Sequence, residues 1–166
     1  MNKNLLYEFT IDKENKTIYI KREFDAALPL IWNAFTKSEM LDQWWAPKPW
    51  KAKTKTMDFK PGGYWLYAMV GPNNEEHWST LNYSFVKDQN KFIGQTAFTD
   101  EEGNINKEMP QSTWEVNFTT KGDATLVEFM ISYNELSHLE KIIEMGFKGG
   151  ITMTMNHLDE ILPSLE

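Results

Sequence analysis

Polar and apolar positions alternate along Thr17–Phe24, which places Ile18, Ile20 and Arg22 on one side of the chain. A period of two is the pattern of a β-strand with one buried face. Residues 5–11 form a candidate preceding strand, because a turn-like segment separates them from the first clear alternation.

The period then changes to that of a helix. Leu28–Phe35 carries its large apolar side chains at helical spacing, and Pro29 suits the first turn of a helix. A second short helix is predicted over Glu39–Trp45, because prolines follow it directly.

The middle of the chain is predicted to be strands and tight turns. Segments rich in Gly, Pro, Asn and Asp separate six strand candidates. These are Lys51–Phe59, Tyr64–Val70, His77–Val86, Lys91–Phe98, Ser112–Thr119 and Thr125–Tyr133. Consecutive strands joined by short turns indicate an antiparallel meander.

The last segment, Leu136–Leu162, is predicted to be one amphipathic helix of about seven turns. Its apolar stripe consists of Leu136, Leu139, Ile143, Phe147, Ile151, Leu158 and Ile161. A sheet followed by a helix that covers one face indicates the α+β class.

Composition narrows the class of protein. The 166 residues predict a single domain spanning residues 1–166, and a hydrophobic content of 41% argues against global disorder. A net charge of −7 argues against nucleic-acid and membrane partners. The absence of Cys excludes disulfides, a thiol nucleophile and Cys-ligated zinc. Residues 1–10 lack a secretory apolar run and no segment has membrane-spanning length, so a soluble, cytoplasmic protein is expected.

A cavity between sheet and helix is suggested by the side-chain pattern. Aromatic residues share strand faces that converge beneath the long helix, while Gly146, Gly150 and Thr154 line one helix edge at four-residue spacing. Small residues there leave room for an apolar ligand. The predicted lining is Trp65, Tyr67, Met69, His77, Tyr83, Phe98, Trp114, Phe118, Phe147, Gly150 and Thr154. A solid aromatic core, with glycines that only bend the helix, is the alternative.

Three tryptophans, Trp44, Trp45 and Trp50, allow three interpretations. They either close the mouth of the cavity or form a surface for a protein partner, since Trp is enriched at binding hot spots. Simple anchoring of a short helix to the core is the third possibility.

The ordered set of motifs resembles a known family. The stretches are KREFDAALPLIWNAFTKSEMLDQWW (Lys21–Trp45), MDFKPGGYWLYAMVGP (Met57–Pro72) and MGFKGGITMTMNHLDEIL (Met145–Leu162). They are similar to the bacterial family named after the activator of heat-shock protein 90 ATPase, within the START-like, SRPBCC or Bet v 1-like superfamily. Phe147 stands where Trp is usual, and Leu81 stands where Gly is common, which would make the cavity smaller.

The resemblance implies a helix-grip fold. In such a fold a strand, two short helices and a curved antiparallel sheet wrap around a long C-terminal helix, with a cavity between them. Fold relatives include lipid carriers, hormone receptors, cyclases and cochaperones, so the resemblance implies no reaction.

Candidate chemistry is sparse. The histidines His77, His138 and His157 match no metal motif, and no catalytic loop signature occurs. The sequence therefore predicts no catalytic residue, cofactor or metal. It favours a binding protein for an apolar or amphipathic small molecule. A protein-interaction module in stress or chaperone pathways is the alternative, and an enzyme using His77, Tyr67 or Tyr83 ranks third. Monomer and homodimer both remain open.

Overall fold

A computed structural model of the protein describes residues 5–165, so residues 1–4 and 166 of the predicted domain lie outside the described part. Eight strands occur in the described residues. They are β1 (Tyr7–Asp12), β2 (Thr17–Phe24), β3 (Lys51–Met57), β4 (Tyr64–Val70), β5 (Glu76–Lys87), β6 (Lys91–Thr99), β7 (Ser112–Lys121) and β8 (Ala124–Ser132). The candidate strand over residues 5–11 is therefore present as β1, and the short helices follow the second strand.

The strands form one antiparallel sheet in the order β1-β2-β8-β7-β6-β5-β4-β3. From β3 to β8 each strand pairs with its sequence neighbour, which is the predicted meander, and β2 closes against β8. The register shifts between Thr54 and Thr56 on β3 and between Tyr83 and Phe85 on β5. Such bulges increase the local twist and bend of a strand, which helps the sheet to curve.

The described residues contain four helices. They are α1 (Leu28–Thr36), α2 (Ser38–Trp44), α3 (Leu136–Glu144) and α4 (Phe147–Leu165). The α+β helix-grip architecture is confirmed, with α4 as the long C-terminal helix. No helix within residues 5–165 combines the length and apolar content needed to cross a membrane.

The prediction of a single helix over Leu136–Leu162 is wrong. The chain leaves α3 at Met145 and passes through Gly146, whose φ of 90° lies in the left-handed region, before α4 begins at Phe147. Glycine adopts this conformation at no steric cost, whereas other residues resist it. Gly146 is therefore a helix-ending residue, not part of an inner edge shared with Gly150 and Thr154.

Aromatic side chains from α1, α2 and the sheet form one end of the core. The Trp32 and Phe118 rings meet edge to face at 4.9 Å, and Phe35 meets Phe118 at 5.4 Å. Trp44 is 1% exposed and donates its Nε1–H to the carbonyl of Ala34 at 2.9 Å. These contacts fix α1 and α2 against the sheet.

Polar contacts join α4 to the first strands. The inward-facing Arg22 is 8% exposed and donates from Nη1 to Oδ1 of Asn156 at 2.9 Å. Its Nη2 lies 3.7 Å from Oδ2 of Asp159. The hydroxyls of Tyr7 and Thr152 also form a hydrogen bond. The helix is thereby held over the sheet from the β1–β2 side.

Candidate functional site

A largely apolar pocket of about 280 Å³ lies between the sheet and the α3–α4 pair. Strands β4 to β8 form its floor, the end of α2 and the following loop form one side, and α3 and α4 cover it. Predicted residues that line it are Trp45, Trp65, Tyr67, Met69, His77, Phe98, Trp114, Phe147, Gly150 and Thr154.

One wall of the pocket is formed by side chains of β4, and strand alternation explains why they face the same way. Trp65, Tyr67 and Met69 are two residues apart and so share a face of the sheet. The rings of Trp65 and Tyr67 stack with centroids 3.9 Å apart and planes 19° apart. Trp45 leans on this stack from the end of α2, with its centroid 6.0 Å from that of Trp65. The result is a rigid aromatic wall with flat apolar surfaces.

The helix wall combines large apolar side chains with two small residues, Gly150 and Thr154. Gly150 lies on α4, and no atom beyond its chain neighbours and the adjacent backbone of its own helix lies within 4 Å of the place where a Cβ would stand. Thr154, one turn later, donates its hydroxyl to the Gly150 carbonyl at 2.8 Å. Phe147 packs against Trp114 with centroids 6.2 Å apart. Gly150 therefore leaves open space where a larger residue would enter the pocket.

One hydroxyl centre in the pocket is that of Tyr67. The Tyr67 oxygen accepts a hydrogen bond from Nε1 of Trp45 at 3.1 Å, and it also hydrogen-bonds with Ser79. Burial raises the pKa of the Tyr67 hydroxyl, and these two hydrogen bonds oppose the rise. The phenol is therefore neutral at physiological pH.

A second hydroxyl centre surrounds Ser112. Its Oγ lies 2.5 Å from Oγ1 of Thr96, accepts from Nε1 of Trp114 at 3.0 Å and hydrogen-bonds with Tyr133. Burial raises the pKa of Tyr133 to about 12, against the effect of the Ser112 hydrogen bond. This centre is also uncharged at neutral pH.

His77, considered as an acid, base or anchor, lies at the rim of the pocket and is exposed. Its ring packs against Trp50 with centroids 5.3 Å apart. The imidazole therefore meets solvent as well as the pocket, and the buried apolar setting that would make it a strong acid–base candidate is missing.

Four predicted site residues do not line this pocket. Tyr83 points inward but packs against Phe59 at 4.8 Å, next to the β5 bulge. Phe118 is covered by Trp32, and Trp44 is buried against Ala34, so neither ring reaches the space. Trp50 borders a separate recess with a charged rim formed by Asp42, Lys48 and Lys51. Trp44 is not a surface residue, which corrects its assignment to a mouth or partner surface.

The sequence interpretation missed several lining residues. They include Phe35, Leu41, Pro47, Ser79, Leu81, Phe92, Thr96, Ser112, Val116, Phe129, Tyr133, Ile142 and Ile151. Alternation could have identified part of this set, because Ser112 and Val116 are two residues from Trp114 on β7. Contributions from α1, α2 and α3 depend on tertiary packing and carry no local signal.

Metal binding has no support in the arrangement of side chains. Within residues 5–165, no group of three or more His, Cys, Asp or Glu residues is placed to hold a metal ion. The two hydroxyl centres can hydrogen-bond an oxygen or nitrogen atom, and the aromatic walls can cover an apolar body. The arrangement is suited to binding.

Comparison with protein families gives one match. Residues 25–163 match the model of the family described as "Activator of Hsp90 ATPase homolog 1-like protein". The match covers most of the chain, including α1, the pocket and almost all of α4. No curated protein shows a significant match to the sequence.

Solved structures with the same fold come from several bacteria. Protein Ms6760 from Mycobacterium smegmatis has 26% identity and a TM-score of 0.87, over 95% of this chain and 96% of that one. A protein from Staphylococcus epidermidis has 26% identity and a TM-score of 0.81, over 93% and 94% of the two chains. A protein from Arthrobacter aurescens, at 23% identity and a TM-score of 0.89 over 95% and 91%, shows the fold alone.

Proposed function

The chain belongs to the Activator of Hsp90 ATPase homolog 1-like family of the START-like superfamily, and on that basis we propose that it is a cytoplasmic, non-enzymatic protein that binds an apolar or amphipathic small molecule. The observation that carries the proposal is the pocket of about 280 Å³ between sheet and α4. A concave, mostly apolar space with a few convergent polar groups is the usual form of a small-molecule site.

Open space at Gly150 supports this proposal over a filled core. Interior packing in proteins normally leaves few voids larger than a water molecule. A glycine in a helix interior costs about 1 kcal/mol relative to Ala, yet α4 has Gly150 beside the pocket, with no atom beyond its chain neighbours and the adjacent helix backbone within 4 Å of the place of a Cβ. A ligand that occupies this space would offset that cost.

The alternative function, a protein-interaction module, was predicted from a surface of three tryptophans, and their positions do not form such a surface. Trp44 is buried and Trp45 faces the pocket, where its Nε1–H is bonded to Tyr67. The third tryptophan, Trp50, is half-buried and packs on His77. A single ring of this kind does not make a hot-spot cluster.

A pair of glycine variants tests the proposal. Gly150→Leu would extend a side chain into the pocket, whereas Gly149→Leu would extend one from an exposed position on the same helix. Both changes replace glycine with a better helix former, so neither should lower the helix stability. We expect N-phenyl-1-naphthylamine, a neutral dye whose fluorescence rises in apolar surroundings, to bind the wild type and Gly149→Leu.

The Gly150→Leu variant should bind the dye at least about tenfold more weakly, because the inserted side chain occupies the site. Circular dichroism and thermal unfolding of the three proteins serve as the folding control. Equal dye binding by folded Gly150→Leu and Gly149→Leu, or no binding to the wild type, would refute the proposed function.

A further inference from the structure

We infer that the pocket selects uncharged ligands with an aromatic body of about naphthalene size and rejects anions such as carboxylates and sulfonates. This inference rests on the proposed function and specifies the chemistry of its ligand. The observations that carry it are the residue types of the lining, the hydrogen bonds of its tryptophans and the volume of the pocket.

The lining carries no fixed charge. Among the described residues that line the pocket, none is Asp, Glu, Lys or Arg. His77 is the only lining histidine in that set, and it lies exposed at the rim. A carboxylate that entered the pocket would lose its hydration without gaining a counter-charge, and such a transfer is strongly unfavourable.

The indole N–H donors that could stabilise an anion are already bonded to the protein. Trp45 donates to Tyr67 at 3.1 Å, and Trp114 donates to Ser112 at 3.0 Å. Trp65, the third tryptophan of the wall, donates to Oγ1 of Thr54 at 3.0 Å. The indoles therefore present their apolar rings to the pocket, while their polar edges are satisfied elsewhere.

What remains for a ligand is the hydrogen-bonding capacity of neutral hydroxyls. Tyr67 and the group around Ser112 can each exchange a hydrogen bond with a ligand hydroxyl or carbonyl. Because the phenol pKa values of Tyr67 and Tyr133 are raised by burial, neither ring supplies a charge at neutral pH. A neutral oxygen atom fits these centres better than an anionic group that needs several donors.

The volume sets the size of the ligand. A dry apolar cavity of about 150 Å³ accommodates benzene, and the present pocket has about 280 Å³. Roughly two fused rings therefore fill the space. An uncharged substituent on these rings can extend to the rim beside His77, which is exposed.

Two dyes with the same ring skeleton test the inference. N-phenyl-1-naphthylamine is neutral, and 8-anilino-1-naphthalenesulfonate differs from it by one sulfonate group. We expect the wild type to bind the neutral dye at least about tenfold more tightly than the sulfonate in fluorescence titrations at neutral pH, because only the sulfonate must be desolvated as an anion.

Two lysine variants test whether the pocket lining causes the difference in affinity between the two dyes. Met69→Lys places an ammonium group on the pocket wall, and Met130→Lys adds the same charge at an exposed position on β8. The inference predicts that Met69→Lys improves sulfonate binding relative to the neutral dye by at least about tenfold, since the anion then has a counter-charge. Met130→Lys should leave the ratio of affinities unchanged.

The outcomes separate the inference from the function on which it rests. Equal binding of both dyes to the wild type would overturn the selectivity and leave a binding function standing. An identical affinity ratio in both folded lysine variants would also overturn it, because the discrimination would then lie outside the pocket. No binding of either dye to the wild type would overturn both the inference and the proposed function.

Discussion

Arg22 shows how one side chain connects the two layers of the molecule. It extends from the inner face of β2, between the rings of Tyr7 and Phe24, whose centroids are 5.3 and 5.4 Å from its Cζ. Burial lowers the pKa of this guanidinium, whereas the nearby Asp159 carboxylate opposes the shift. The charge is retained because several partners compensate for its partial desolvation.

Replacing Arg22 with alanine should therefore destabilise the fold. We expect Arg22→Ala to lose about 1–3 kcal/mol of unfolding free energy, from the hydrogen bond to Asn156 and from the packing of its aliphatic stem. Urea denaturation measures the loss. Lys21→Ala is the matched control, because Lys21 lies on the outer face of the same strand.

The Lys21 side chain is 48% exposed and its ammonium is 3.9 Å from Glu128, so its removal should change stability by less than about 0.5 kcal/mol. Equal losses in the two variants would show that Arg22 does not hold α4 to the sheet.

Residue-level alternation predicted the inward direction of Arg22 and Tyr67 but not what either side chain would meet. Tyr83 illustrates the limit, because it also points inward. Its ring is held by Phe59, which belongs to the turn after β3 and carries no marker of that contact in the sequence. A strand pattern fixes a face, whereas the partner across that face is set by the whole fold.

At the scale of elements, the break between α3 and α4 allows residues from both helices to cover the pocket. Ile142 from α3 and Phe147 from α4 both line the pocket, on either side of Gly146. A continuous helix could not change direction between them. The apolar stripe of Leu136–Leu162 continues across the break, which is why periodicity alone predicted one helix.

Alanine substitution at two glycines should have opposite effects on stability. At Gly146 a Cβ meets no other atom within 4 Å, so the only penalty of Gly146→Ala is the backbone φ of 90°. We expect it to lose about 1–2 kcal/mol. Gly149→Ala lies inside α4 and should gain up to about 1 kcal/mol.

Thermal unfolding of the two alanine variants and the wild type measures these changes. A stability gain in Gly146→Ala equal to that in Gly149→Ala would mean that the chain is helical through residue 146, and would contradict the two-helix cover.

Most elements could be predicted from local patterns. The bounds of β2 and β4 match the predicted segments, and the other strands differ from them by a few residues. Turn residues and alternation suffice there because each strand pairs mainly with its sequence neighbours. The left-handed glycine was missed because a helix interior also tolerates glycine at a modest cost.

For the whole molecule, the pocket lies between the sheet and the two helices that cover it, α3 and α4. Leu81 lines the floor of the pocket, and Gly94 on β6 makes room for its side chain, because a Cβ at Gly94 would lie 2.7 Å from Cδ1 of Leu81. The volume of the pocket thus depends on residues far apart in sequence, and no local pattern of residues predicts it.

Indole N–H signals in a ¹H–¹⁵N NMR titration with N-phenyl-1-naphthylamine show directly whether a ligand binds between the sheet and α4. We expect shifts for Trp45, Trp65 and Trp114, which line the pocket, and unchanged signals for Trp32 and Trp78, which do not. Unchanged signals from the three pocket tryptophans at saturating dye, or larger shifts at Trp32 and Trp78, would contradict a ligand site between the sheet and α4.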